Sequence, residues 1–193
     1  MFAPVATIQS TNPALMSGTT DEQPSPAGVS APAQRLYWRE PQAVLGTGVR
    51  FPTVVARGGL VVAAWQEMVA PRLLGGGGEI RLSLATSREL RQWRATPRFA
   101  GPYAFPREEA AIYSLAVGVD ATVYVAILSG PTEITLMRSG DGGQSFETAA
   151  RLEAGATIVA PTLSVTDSGR LLLFVNRERE RFLDIYYAVS ADG

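Results

Sequence analysis

Ser139-Gly140-Asp141-Gly142-Gly143-Gln144-Ser145-Phe146 is the stretch on which the reading of this 193-residue chain turns. Ser139 and Asp141 carry short oxygen-bearing side chains that can accept backbone N–H groups two or three residues on. Gly142 and Gly143 tolerate positive φ, and Phe146 opens a new apolar run. The eight residues therefore predict a tight turn between two strands.

Pieces of the same pattern occur elsewhere. Ser87-Arg88-Glu89-Leu90-Arg91-Gln92-Trp93 is a degenerate copy, one residue short and without its Asp and Gly, and Ser190-Ala191-Asp192-Gly193 is half a copy. The three starting serines lie 52 and 51 residues apart. A period of this size, filled with short apolar runs and no helical pattern, predicts blades built as four-stranded sheets.

The elements of the repeat can be placed. Hairpins are expected from 52–56 with 60–65, 114–117 with 122–127, and 161–165 with 171–175, each apolar, β-branched and split by a Gly or Asp turn. As the central strands of blades they should be buried on both faces. Third strands are expected at 79–85, 133–137 and 184–188, each opening on an acid followed by Ile, so that Glu79, Glu133 and Asp184 mark one repeat position. An aromatic-first outer strand follows each turn, with Trp38, Trp93 and Phe146 equivalent. These aromatics are read as structural, packing each turn against its own blade.

Quoted in full, Ser139 to Phe146 resembles the Asp-box, Ser-x-Asp-x-Gly-x-Thr-Trp, of the sialidase-like Asp-box (BNR repeat) β-propellers, with Ser145 and Phe146 in place of Thr and Trp. The resemblance identifies Ser139, Asp141, Gly143 and Phe146, with Ser87, Trp93, Ser190 and Asp192, as structural box positions. The expected fold is all-β, a propeller of four-stranded antiparallel blades, with about three blades present where the family architecture suggests six. Residues 1–34 form a Pro-, Ser-, Thr- and Ala-rich segment with five Pro and only Asp21 and Glu22 charged, and are expected to be disordered. The partial propeller spans 35–193: an outer strand at 37–45, blade one at 50–100, blade two at 111–153 and an incomplete third blade at 159–193. Two arrangements follow as expectations: the N-terminal part of a longer propeller, or two copies that close a six-bladed ring.

Composition limits the chemistry. The formal charge of −1 gives no electrostatic basis for nucleic-acid binding, and no apolar run is long enough to span a membrane. With no Cys and no His, disulfides, thiolate or imidazole metal sites and Ser-His or Cys-His catalysis within the chain are excluded. No cofactor is expected. The resemblance implies a secreted, periplasmic or cell-surface protein, although residues 1–6 lack a basic region and Pro4 interrupts their apolar run, unlike an ordinary signal peptide.

An up-and-down meander places the box turns on one end with the Gly59, Asp120 and Gly169 turns. Arg50, residues 67–78, Glu108-Glu109, 129–132 and the alternating Arg177-Glu178-Arg179-Glu180-Arg181 fall at the other, where loops on a rigid scaffold carry function. The last run is read as a solvated connection. Val49-Arg50-Phe51-Pro52 resembles the Arg-Ile-Pro motif of sialidases, whose Arg holds the substrate carboxylate; a guanidinium fork suits that task. Arg50 and Arg72 are thus the substrate-binding candidates, with a solvated strand start as the plainer role for Arg50. The loop after the second strand lacks the family's acid/base Asp, leaving Glu67 as the catalytic candidate, and the family's Tyr and Glu would lie in blades beyond this chain. The resemblance implies a glycan-processing or glycan-binding protein taking a sialic-acid-like carboxylated sugar. A non-catalytic interaction or assembly module is the alternative.

Overall fold

The computed structural model describes residues 49–70, 78–90, 92–105, 111–179 and 182–190. The expected outer strand at 37–45 and the segment 1–34 lie outside them, as do Trp38, Arg72, Glu108, Glu109 and Asp192. Eleven strands make up the described chain: β1 Val49–Arg57, β2 Leu60–Ala70, β3 Gly78–Ser87, β4 Arg94–Phe105, β5 Tyr113–Val117, β6 Val123–Leu128, β7 Glu133–Ser139, β8 Glu147–Glu153, β9 Ile158–Val165, β10 Leu171–Arg179 and β11 Phe182–Val189. Pairing is antiparallel throughout and gives the sheets β1-β2-β3-β4, β5-β6-β7-β8 and β9-β10-β11. The protein is all-β, and its sheets are the blades of a partial β-propeller. The innermost strand of the middle blade, β5, packs against both β1 and β9.

Burial follows from position among the blades. Val123 to Leu128 in β6 are all buried, because the middle blade has a neighbour on each side. The flanking blades differ: β1 alternates between half-buried and exposed residues, Val54 is 63% exposed, and Phe174 and Ile185 are also exposed. Burial of the inner hairpins on both faces thus holds for the middle blade and fails at β1, where no second sheet covers Val54 among the described residues, and in the third blade, where Thr162, Ser164 and Phe174 are exposed.

The aspartate-centred turn closes as its chemistry requires. Asp141 Oδ1 accepts the Ser139 hydroxyl at 2.7 Å and the backbone N–H groups of Gln144 and Ser145 at 2.8 and 3.0 Å, while Oδ2 accepts the Ser145 hydroxyl at 2.6 Å. The Ser139 hydroxyl oxygen in turn accepts Gly143 N–H at 2.8 Å. These bonds hold the carboxyl well below its ordinary value, the Ser145 hydroxyl first and the Ser139 hydroxyl next. All three repeat serines are buried: Ser87 receives Leu90 N–H, and Ser190 receives Leu171 N–H, each at 2.9 Å.

The structure adds to two packing expectations. The Phe146 ring lies 4.5 Å from that of Phe99 in β4, so the aromatic of the turn reaches across the seam to the preceding blade. Thr96 donates its hydroxyl to Gly143 O at 2.8 Å along the same seam. The turn is thus a fastener between blades, because the backward-packed ring finds its apolar partner on the neighbouring outer strand. The run from Arg177 is likewise not simply a solvated loop. Arg177 and Glu178 belong to β10, and the Arg177 guanidinium sits 4.2 Å over the Tyr186 ring and donates to Ala154 O at 3.1 Å.

Candidate functional site at the seam of the first two blades

Arg50 stands at the entry of β1, paired with Gln66 of β2. Immediately after it the register slips: Phe51 and Pro52 bulge out before pairing resumes at Thr53 with Ala64. Proline has no N–H to give a ladder, so it suits a bulge. Phe51 adopts φ 51, a left-handed conformation uncommon for an aromatic residue. Bulges of this kind re-aim the side chains beside them.

The neighbouring blade holds this bulge in place. The hydroxyl of Tyr113, a buried residue of β5, lies 2.7 Å from Phe51 O and 2.7 Å from Ala64 O. Burial pushes the phenol above its ordinary value, with hydrogen bonding at Thr53 acting the other way, so Tyr113 stays a donor at neutral pH. Next to it the buried Gln66 accepts Ile112 N–H through Oε1 at 2.7 Å. Three contacts from blade two therefore fix the strand end that carries Arg50.

Glu67 is placed differently from its expectation. It belongs to β2 and not to the following loop, paired with Val49 on one side and Arg81 on the other. Arg50 pairs with Gln66 and Glu67 with Val49, so strand alternation puts Arg50 and Glu67 on opposite faces of the sheet. The two candidates do not converge. Glu67 Oε1 accepts Trp65 Nε1–H at 3.1 Å, and Oε2 accepts Arg98 Nε–H at 3.4 Å. Burial works to raise its pKa, but hydrogen bonds from Ser83, Trp65 and Arg98 outweigh it and hold the carboxyl below its ordinary value. A carboxyl kept ionised in this way is an acceptor and a poor proton donor at neutral pH.

Sequence reasoning missed Arg98. It sits in a bulge of β4, at φ 52, where three residues between Thr96 and Ala100 face only Ser83 between Leu84 and Leu82. The Ser83 hydroxyl, fully buried, accepts Arg98 N–H at 2.7 Å and also bonds Glu67. Pro97 was the one available signal, since a proline within a strand marks a bulge or an edge. Among the described residues no group of His, Cys, Asp and Glu could hold a metal ion, and no helix is long and apolar enough to cross a membrane.

No protein-family profile and no curated protein matches the chain. Among solved structures it is similar to a protein of unknown function from Dyadobacter fermentans, at 16% identity and a TM-score of 0.57, over 76% of this chain and 48% of that one. It is also similar to a GH43 endo-arabinanase from Bacillus licheniformis, at 18% identity and a TM-score of 0.41, covering 72% and 50%. The chain spans about half the length of each of these proteins. At 16% identity the likeness to the Dyadobacter protein concerns the fold alone.

Proposed function

We propose that the chain is part of a sialidase-like glycan-processing or glycan-binding propeller, in which Arg50 holds the carboxylate of an acidic sugar. The observation that carries this reading is the bulge at Phe51, clamped by Tyr113 of the next blade, which fixes the strand end bearing a guanidinium. A positioned fork can make two parallel charge-assisted bonds to a carboxylate, which a loose surface Arg does only at an entropic cost. Arg72 remains a proposed second contact.

Titration of the folded protein with N-acetylneuraminic acid by calorimetry tests the reading. Arg50→Ala should abolish binding and Arg50→Lys should weaken it about tenfold, because an ammonium cannot make the bidentate pair. Equal binding by wild type and both variants would sink it.

A non-catalytic binding propeller is the second reading, and one observation favours it. Glu67 lies across the sheet from Arg50 with its carboxylate already engaged by Trp65, Ser83 and Arg98. Retained binding with no release of sugar from a sialoside would decide for it.

A further inference from the structure

A cleft of ≈ 410 Å³ lies between the first two turns of the repeat. Its floor includes Leu60, the first residue of β2, whereas Arg50 pairs with Gln66. Six residues of strand, about 20 Å, separate the two, so the cleft is distinct from the Arg50 site.

The repeat departs from its own pattern where it lines this cleft. In the second turn Asp141 is consumed by four internal hydrogen bonds. The corresponding position of the first turn, two residues after its serine, is Glu89, and the backbone there passes through Leu90 at φ 60. Arg88, Glu89, Gln92, Trp93 and Arg94 line the cleft together with Gln144 of the second turn, whose Oε1 accepts Arg94 Nη1–H at 3.4 Å and whose Nε2–H donates to Asp141 O at 3.0 Å. Trp93, expected to be purely structural, is half-buried and contributes to the lining.

We infer that this cleft is a second binding site, for a neutral pyranoside. A sugar ring offers an apolar C–H face and a rim of hydroxyls that each donate and accept. The cleft supplies a flat indole, donor-only guanidiniums, an acceptor-only carboxylate and carboxamides that do both. Among the described residues the two guanidiniums of Arg88 and Arg94 are matched in formal charge by Glu89 and Asp141, a balance that favours a neutral ligand. Among the described residues Trp93 and Leu60 are its only large apolar ones, too few for a lipid or an aromatic drug-like molecule.

Ligand-observed saturation-transfer NMR on the full chain, with methyl β-D-galactopyranoside, methyl α-D-glucopyranoside and N-acetylglucosamine as probes, tests this. At least one probe should bind saturably, Trp93→Ala should weaken it about tenfold, Trp93→Phe should weaken it less, and Arg50→Ala should leave it unchanged. Circular dichroism confirms that the variants are folded; should Trp93→Ala not fold, Gln144→Ala takes its place, with weaker binding expected. No binding of any probe, binding indifferent to Trp93 and Gln144, or binding lost with Arg50 would each overturn the inference. The Arg50 reading fails or stands separately, on N-acetylneuraminic acid.

Discussion

The hydroxyl of Tyr113 sits 2.7 Å from the carbonyl oxygen of Phe51, joining the innermost strands of two blades across 62 residues of sequence. Phe51 is held in a left-handed conformation, and conformations of that kind persist where the surroundings over-determine them. Tyr113→Phe removes the one hydroxyl shared by the buried Ala64 carbonyl and the part-buried Phe51 carbonyl. It should lower stability by about 1–3 kcal/mol, read as a lower urea midpoint at unchanged slope, and should weaken any binding that depends on Arg50. Unchanged midpoint and binding together would show that the bulge holds itself.

Ser139 is 1% exposed and bonded both to Asp141 and to Gly143 N–H. Ser139→Ala should cost about 1–2 kcal/mol in the same urea experiment, while binding at the Arg50 end stays as it was. A neutral result would mean that the turn is closed by its backbone alone.

The carboxyl of Asp141 is held below its ordinary 3.8, so the folded protein binds fewer protons there than the unfolded chain. The stability it contributes is complete above the ordinary aspartate range and is lost as the pH falls below it. Thermal unfolding followed from pH 6 downward should therefore show a fall in melting temperature that Asp141→Asn reduces. Parallel curves for the two proteins would remove Asp141 from the account.

Gly142 and Gly143 make a paired test. Both have positive φ, but a Cβ at Gly143 would lie 2.8 Å from Thr86 Cγ2 and 3.2 Å from Leu84 Cδ1, whereas at Gly142 nothing lies within 4 Å. Gly142→Ala should cost about 1 kcal/mol from backbone strain alone. Gly143→Ala should cost about 2 kcal/mol or more, because the seam between blades must open as well. Equal costs would show that the turn does not press on β3.

Phe99 and Phe146 should be energetically coupled. Truncating each to Ala, singly and together, should reveal an interaction of about 1 kcal/mol; strict additivity would reduce their contact to coincidence.

The strand order, the turns and the repeat were legible in the sequence because each rests on short-range chemistry. Ser139, Asp141 and the two glycines lie within five residues, so the oxygens and N–H groups that close the turn are brought together by local geometry alone. The serines at 87, 139 and 190 then mark the blades, since a buried serine recurs at nearly one spacing; its hydroxyl accepts a turn N–H at Ser87 and Ser139 and the Leu171 N–H of β10 at Ser190. Continuous apolar, β-branched runs split by Gly or Asp turns do the same for the hairpins.

What tertiary structure alone decided is where the blades meet. Phe146 reaches back to Phe99, Tyr113 to Phe51 and Thr96 to Gly143, contacts 47 to 62 residues apart along the chain. The bulges at Phe51 and Arg98 depend on partners from other strands, and a slip of one residue moves a side chain to the other face of a sheet. Arg50 and Glu67 therefore read as neighbours at one end of a hairpin in sequence, yet fall on opposite faces of the folded blade. The cleft beside Trp93 exists only because two turns 52 residues apart are packed side by side, a juxtaposition that no local pattern encodes.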